Sequence, residues 1–138
     1  FLIEFGNQFD FDIYVIDPRS SFANKNRFPC VTVIDDWPEE AFKSIKIDQN
    51  TAIITLTHDA KIDDIALQIA LKTDCFYIGS LGSKKTHKKR VDRLLSMGFN
   101  KEIINRIHAP IGLDIGSKKP NEIALSIIAE ILKVKRLG

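Results

Sequence analysis

A short glycine-containing segment, Gly79-Ser80-Leu81-Gly82-Ser83, joins an apolar run of residues to a strongly basic one. Between a strand and a helix, such a segment points its backbone N–H groups at an anion, with the helix dipole behind them. The basic run begins with Lys84-Lys85, and six lysine or arginine residues lie between 84 and 93. Because cations at a helix N-terminus oppose the dipole, an anionic ligand would explain their presence. A solvated basic face is the alternative.

An acidic residue ends the first apolar run of the chain, in the sequence Asp17-Pro18-Arg19. In dinucleotide-binding folds an acid at this position accepts hydrogen bonds from ribose hydroxyls. The alternative is a turn-forming aspartate in front of a proline. A glycine fingerprint should lie about 20 residues upstream of such an acid. That position falls before Phe1, so the phosphate cradle of a dinucleotide site is not in this sequence.

A hydroxyl, an imidazole and a carboxylate follow the third apolar run, as Thr57-His58-Asp59. His58 is a candidate general acid, general base or anion donor near neutral pH. The alternative is a helix cap at Asp59 with His58 as a solvated loop residue. No second cluster of histidine or cysteine lies nearby in the sequence, so we do not expect a metal site.

Two glycines flank an acid in Ile111-Gly112-Leu113-Asp114-Ile115-Gly116-Ser117, which predicts a tight loop near a ligand, with Asp114 as its candidate contact. An ordinary loop leading into the last helix explains the glycines equally well. His108 and Pro110, just before this segment, are interpreted as structural residues.

Short apolar runs rich in β-branched and aromatic residues alternate with helical patterns along the chain. The runs lack a clean in/out alternation, which is typical of strands covered on both faces of a parallel sheet. The pattern predicts an α/β domain with helices on both faces. The carboxyl ends of parallel strands meet at one edge of the sheet, so the candidate sets around Asp17, Thr57 and Gly79 should converge there. The predicted strands are Phe11–Asp17, Val31–Ile34, Thr51–Leu56 and Cys75–Ile78.

Three amphipathic segments and one helix end are predicted between and around the strands. Asp59 should cap the first helix, Gly98 should end the second, and Pro120 should open the third. Leu125 and Leu132 broaden the apolar face of this third helix, so it should be well buried. Phe1–Phe5 resembles the back half of a helix that begins upstream.

The composition is that of one globular domain, expected to span residues 1–138. Hydrophobic residues make up 44% and charged residues 28% of the 138 residues, which excludes a disordered or low-complexity chain. The net charge of +2 is too small to argue for nucleic acid, and no aromatic residues are interleaved with the lysines. No run is long enough for a membrane helix. Cys30 and Cys75 form no metal-binding pair and are expected to be reduced and buried.

The chain resembles the xanthine dehydrogenase accessory family of the XdhC/CoxI type, and more specifically its C-terminal Rossmann-like domain. The matching segments keep their order along the chain: Val15–Arg19, Arg27–Pro29, Leu56–Asp59 with Asp63-Asp64, Phe76–His87, Ile107–Gly116 and Pro120–Ala124. The resemblance implies a three-layer parallel sheet with helices on both faces.

By this resemblance, the protein is a cytoplasmic bacterial accessory protein. Members of the family bind the molybdenum cofactor, protect it while a terminal sulfur is added, and help insert it into xanthine dehydrogenase-type enzymes. The implied ligand is a molybdopterin phosphate or dinucleotide, held by the Gly79–Ser83 segment with Lys84 and Lys85. Asp17, His58 and Asp114 would line the same edge. A xanthine dehydrogenase-type molybdoenzyme and a cysteine desulfurase are the implied protein partners.

The sequence also departs from the family pattern. Domains of this family begin with a strand and a Gly-x-Gly-His loop, and neither is present here. Because that strand is central in the sheet, its loss would expose unpaired backbone edges, and we expect a dimer or a rearranged sheet. Two other functions remain open: an NAD(P)-dependent oxidoreductase on the same fold, and a truncated gene product that folds without a ligand.

Overall fold

The computed structural model describes residues 1–19 and 31–138, and its elements alternate between strand and helix as expected. The strands are β1 (Tyr14–Ile16), β2 (Thr32–Ile34), β3 (Ala52–Thr55), β4 (Tyr77–Ser80) and β5 (Ile107–His108). The α-helices are α1 (Leu2–Asn7), α2 (Pro38–Ala41), α3 (Ala60–Leu71), α4 (Lys84–Ser96), α5 (Lys101–Ile104) and α6 (Pro120–Leu137), and a 3-10 turn covers Phe42–Ser44.

The four predicted strands are present, but their bounds differ from the prediction, most importantly in β4. β4 continues through Gly79 and Ser80, so the connection to α4 is only Leu81–Ser83. All four residues of β4 are buried, because the strand lies between two others and is covered on both faces. The fifth strand was not predicted, since two residues are too short to leave a recognisable pattern.

Every strand pairing is parallel, which confirms the predicted α/β class, but the described strands form two sheets. One sheet has the order β1-β2 and the other the order β3-β4-β5. In a doubly wound sheet with strand order 3-2-1-4-5-6, a pair of strands (3-2) and a set of three (4-5-6) lie on either side of strand 1. The two sheets found here correspond to that pair and that set of three. Among residues 1–19 and 31–138, no strand pairs with the second edge of β1 or of β3.

Two apolar clusters cover the faces of the three-stranded sheet. On one face Ile53 and Ile78 pack with Leu67 of α3 and Leu94 of α4. On the other face Tyr77 packs with Ile127 and Ile131 of α6, and Leu2 of α1 lies against the same cluster. Alternate residues of β3 and β4 therefore point to opposite helical layers, as expected for a parallel sheet buried on both sides.

The helix boundaries follow the predicted capping residues. The Asp59 side chain accepts a hydrogen bond from the Lys61 N–H, and Pro120 is the first residue of α6. α4 ends at Ser96, two residues before Gly98, which adopts a φ of +98° that glycine accepts at low cost. The predicted N-terminal helix is present as α1.

Two expectations about burial have different outcomes. Cys75 is buried, as predicted, whereas Cys30 lies outside the described residues. Leu125 is 52% exposed, so the prediction that it helps to make α6 well buried was wrong at this position. The core contacts of α6 come from Ile127 and Ile131, and Leu125 lies outside that stripe. None of the helices in the described part of the chain is both long and apolar enough to cross a membrane.

Adjacent leucines on α4 provide a matched test of this packing. Leu94 is completely buried in the core and Leu95 is 43% exposed. We expect Leu94→Ala to lower the free energy of unfolding by about 2–5 kcal/mol, because the lost contacts leave a cavity. Leu95→Ala should change it by less than about 1 kcal/mol. Urea denaturation measures both, and equal losses would contradict the assigned faces of α4.

Candidate functional site

The ends of three strands lie close enough to interact through charged side chains. Arg19, after β1, interacts electrostatically with Asp59 and Asp63 after β3. Asp63 also interacts with Arg90 of α4, the helix that follows β4. The predicted convergence at the carboxyl edge is therefore present for these three strands. Arg19, Thr57, Asp59, Asp63 and Arg90 are called the strand-tip cluster below.

Asp17 is buried and held by its near neighbour Arg19. Its Oδ1 accepts hydrogen bonds from the Arg19 backbone N–H and Nε, both at 2.9 Å, and its Oδ2 accepts one from Arg19 at 2.8 Å. Burial alone would raise the pKa of the Asp17 carboxyl, but the hydrogen bonds and charge of Arg19 together hold that pKa below its usual value. The Asp17 carboxylate is thus partly satisfied within the protein.

The turn between β3 and α3 is organised by its own polar groups. The Thr57 hydroxyl accepts a hydrogen bond from the Asp59 N–H at 3.1 Å and donates one to Asp63 Oδ1 at 2.6 Å. His58 is exposed and has a φ of +63°, a left-handed conformation that non-glycine residues seldom adopt. Asp59 caps α3, as the structural interpretation of this segment predicts. A role for His58 in acid–base chemistry stays a prediction.

Asp63 is only 4% exposed and lies in the first turn of α3. Burial raises the pKa of its carboxyl, while the hydrogen bonds from Thr57 and the positive charge of Arg90 oppose that rise. In the sequence this aspartate is recognisable only as part of a segment that resembles the family. Its place in the cluster follows from the packing of α3 against α4, which no short-range pattern indicates.

The segment between β4 and α4 has buried and exposed parts. Ser80 is completely buried and its hydroxyl shares a 2.7 Å hydrogen bond with that of Thr55. The Leu81 N–H donates to the Thr55 carbonyl oxygen at 3.0 Å. From Gly82 onwards the chain turns outward, with a glycine φ of +136°. Leu81–Ser83 is called the anion loop below.

Four consecutive backbone amides at the start of α4 face no acceptor from the described protein. They belong to Gly82, Ser83, Lys84 and Lys85. The next amide, of Thr86, is capped by the Ser83 hydroxyl at 3.1 Å. The side chains of Lys84 and Lys85 are exposed beside these amides. Free N–H groups, a helix N-terminus and two cations together suit a phosphate group.

Arg90 is a site residue that the sequence analysis did not single out. It is 4% exposed, and one guanidinium nitrogen donates to the Leu81 carbonyl oxygen at 3.1 Å. Another lies 3.2 Å from His87 Nδ1. Burial lowers the pKa of Arg90, and the charges of Asp63 and Asp64 oppose that effect. In sequence Arg90 reads as one more cation in the Lys84–Arg93 run, and only the helix phase distinguishes it.

Asp114 is not joined to the strand-tip cluster. It is exposed on the loop before α6, and across residues 1–19 and 31–138 no hydrogen bond or ion pair links it to that cluster. Glu130 of α6 anchors this loop by accepting hydrogen bonds from the Gly112 N–H at 3.1 Å and the Tyr77 hydroxyl at 2.5 Å. His108 stacks on Tyr77 with ring centroids 4.7 Å apart.

No group of three or more metal-ligating side chains occurs within residues 1–19 and 31–138. The fold and site together define a Rossmann-like domain with a candidate anion site at the carboxyl edge of its parallel sheet.

Comparison with known families identifies the domain. A model of the XdhC Rossmann domain matches residues 1–131. The chain belongs to the XdhC family and corresponds to its Rossmann domain, which confirms the resemblance found in the sequence.

Three relatives have informative names. The chain is 36% identical over 103 residues to the molybdenum cofactor insertion chaperone PaoD of Escherichia coli (strain K12), covering 75% of this chain and 32% of PaoD. It is 30% identical over 127 residues to a probable xanthine dehydrogenase subunit from Bacillus subtilis (strain 168), covering 91% and 36%. A crystal structure of a xanthine dehydrogenase from Bacillus halodurans superposes with a TM-score of 0.82 at 30% identity, covering 99% of this chain and 39% of the other.

The chain thus spans about a third of the length of these relatives, with 32%, 36% and 39% covered.

The Asp17–Arg19 pair predicts a defined pH dependence of stability. Because the native pKa of Asp17 lies below its ordinary value of 3.8, the carboxylate stabilises the fold above that pH, and this contribution is lost as the pH falls through the native pKa. We expect Asp17→Asn to lower the free energy of unfolding at neutral pH by up to about 1 kcal/mol.

The difference should shrink as the pH falls below 3.8. Urea denaturation across this range measures it, and a cycle with Arg19→Met isolates the pair. A difference between Asp17→Asn and the native chain that does not vary with pH would contradict the assignment.

Proposed function

We propose that this domain binds the molybdenum cofactor through its phosphate group and serves the maturation of a xanthine dehydrogenase-type enzyme. The observation that supports the proposal best is the row of four amides without protein acceptors at Gly82–Lys85. A phosphate offers the acceptor oxygens that these amides lack, and the α4 dipole favours its negative charge.

The residues present fit the phosphate part of such a ligand. A Cβ atom on Gly82 would lie 3.1 Å from a side-chain carbon of Thr86, and the φ of +136° also favours glycine, so the close backbone turn requires this residue. Lys84 and Lys85 would bind the phosphate oxygens from the solvent side. When bound, the cofactor itself supplies the molybdenum chemistry of the receiving enzyme.

The other candidate residues would act around this anchor. Arg19 and Thr57 lie at the tips of β1 and β3 within the strand-tip cluster, and His58 is exposed on the adjacent turn. Gly79 and Ser80 support the anion loop from within β4, because neither is exposed. Asp17, Asp59 and Asp114 complete the proposed set, with Asp114 contributing only to a ligand long enough to reach the loop before α6.

A chaperone role is favoured over catalysis by the relatives. One is named a molybdenum cofactor insertion chaperone and another a probable xanthine dehydrogenase subunit. We propose accordingly that the domain acts in the cytoplasm, hands the cofactor to a xanthine dehydrogenase-type partner, and holds it while a cysteine desulfurase provides sulfur.

An NAD(P)-binding domain is the second candidate, and one observation favours it. Asp17 lies at the end of β1, where dinucleotide-binding folds place the acid that binds ribose hydroxyls. Its two oxygens already accept hydrogen bonds from Arg19, so a ribose would have to compete with that arginine. Titration of the chain with molybdenum cofactor and with NAD(H) separates the candidates. Saturable binding of NAD(H) without a response to the cofactor would reverse their order.

Charge reversal at the two lysines that follow the anion loop tests the proposed site. We expect Lys84→Glu with Lys85→Glu to abolish measurable cofactor binding, because two cations beside the amides become anions. The melting temperature should hardly change, since exposed charges contribute little stability. Binding is measured by fluorescence titration and stability by thermal melting.

The matched control reverses two exposed lysines elsewhere, Lys101→Glu with Lys133→Glu, at the same change in net charge. Lys101 begins α5, beyond the far end of α4, and Lys133 lies in the last turns of α6. This control should retain cofactor binding. An unchanged affinity in the Lys84/Lys85 variant would remove the anion loop from the site.

The open strand edges support a further proposal, that the chain self-associates as a dimer. Along β1 the odd-numbered backbone groups pair with β2, as in the hydrogen bond from the Asp17 N–H to the Ile34 carbonyl oxygen at 3.2 Å. Those of Tyr14 and Ile16 face the other edge. Unpaired edges of this kind promote association between chains. Light scattering should show a dimer, and a monomer at high protein concentration would contradict this expectation.

A further inference from the structure

Arg90 is a buried cation that forms no salt bridge with any of the described residues. Its guanidinium bonds to the Leu81 carbonyl and to His87, and within residues 1–19 and 31–138 its Nε–H has no hydrogen-bond partner. Asp63 interacts with it electrostatically, but no salt bridge joins the two side chains. By contrast, the neighbouring Arg93 pairs directly with Asp64, with 2.6 Å between Nε and Oδ2.

A buried charge in this state is costly. Removing a guanidinium from water costs several kcal/mol unless contacts with an anion and a full set of hydrogen bonds replace the lost hydration. A buried N–H without an acceptor adds to that cost. The carboxylate of Asp64 lies one residue from Asp63 on α3, yet it binds the half-exposed Arg93, and no carboxylate of the described residues contacts Arg90.

The position of this cation coincides with the anion loop. The Leu81 carbonyl that Arg90 holds belongs to the loop itself, and an Nη atom lies 3.7 Å from where a Cβ of Gly82 would be. The guanidinium therefore lies against the backbone of this loop, next to the Gly82–Lys85 amides that have no acceptor among the described residues. An anion bound to those amides would therefore lie close to the positive charge of Arg90.

We propose that Arg90 is the inner cation of the anion site, stabilising a bound phosphate by its charge from behind the Leu81–Ser83 loop. The inference rests on the proposed function only for the place where the phosphate binds. Because Arg90 is buried, salt does not screen it as it screens the exposed Lys84 and Lys85. The binding of a phosphate adds negative charge near Arg90, which no carboxylate of the described residues contacts.

Calorimetry at low and high salt, which measures the affinity of the full chain for inorganic pyrophosphate, tests this role. We expect Arg90→Met to weaken pyrophosphate binding about tenfold, given the range of Coulomb energies near a protein surface. The loss should be nearly the same at both salt concentrations. Lys84→Gln with Lys85→Gln should instead weaken binding strongly at low salt and only slightly at high salt.

Thermal melting separates this role from a structural one. Removing a buried charge that no carboxylate contacts also removes the cost of burying it, which offsets the loss of the Arg90 hydrogen bonds to Leu81 and His87. Arg90→Met should therefore melt at the same temperature as the native chain or higher while binding pyrophosphate more weakly. Arg90→Lys should recover much of the affinity because it restores the charge.

Arg106→Met is the matched control. Arg106 donates to the carbonyl oxygens of Leu71, Thr73 and Cys75, at the end of β4 opposite to the anion loop. Its loss should lower the melting temperature and leave pyrophosphate affinity unchanged. If Arg90→Met does not fold, the comparison of Arg90→Lys with Arg90→Gln applies the same criterion.

Each result separates this inference from the proposed function. Pyrophosphate affinity that is equal in the native chain and in Arg90→Met would overturn the inner-cation role, and the cofactor could still bind the loop. A loss that disappears at high salt would overturn it as well. Cofactor titration that fails while pyrophosphate binding depends on Arg90 would overturn the proposed function and leave this inference intact.

Discussion

The candidate site depends on a carboxylate that is buried where three strands end. Asp63 is hydrogen-bonded by Thr57 and lies within the electrostatic reach of Arg19 and Arg90. Each of these groups comes from a different strand connection. Burial opposes ionisation of Asp63, so its charge persists only while the surrounding donors and cations stay in place. If one of the three connections were displaced, Asp63 would lose the donor or cation that this connection supplies, and its ionised form would become less stable.

Much of this arrangement could be predicted from short-range sequence patterns. β-Branched runs predicted four of the five strands, and the capping residues Asp59 and Pro120 predicted where α3 and α6 begin. Parallel topology then placed the polar residues after β1, β3 and β4 at one edge of the sheet. These features could be predicted because they depend on the backbone preferences of single residues and on the general right-handedness of crossovers between parallel strands.

The roles of the buried polar residues could not be predicted in this way. Arg90 reads as a solvated lysine-like cation, yet it is buried because it lies on the inner face of α4, as Leu94 does four residues later. Glu130 carries no local signal, and its hydrogen bonds with Tyr77 and Gly112 span 53 and 18 residues. Such contacts depend on the relative placement of elements. For the same reason Leu125, which was predicted to be buried, is exposed.

The two halves of the site depend on the sheet in different ways. The anion loop follows β4, the central strand of a three-stranded sheet that has helices on both faces and a paired strand on each side of β4. Asp17 and Arg19 follow β1, whose only strand partner among the described residues is β2, and none of the six residues in that pair is buried. The backbone that would hold a phosphate at Gly82–Lys85 is therefore supported by the three-stranded sheet. A ligand that also binds Asp17 and Arg19 depends in addition on how rigidly the two sheets are held relative to each other. Charge interactions such as that of Arg19 with Asp63 are weaker constraints on this placement than a shared hydrogen-bond ladder.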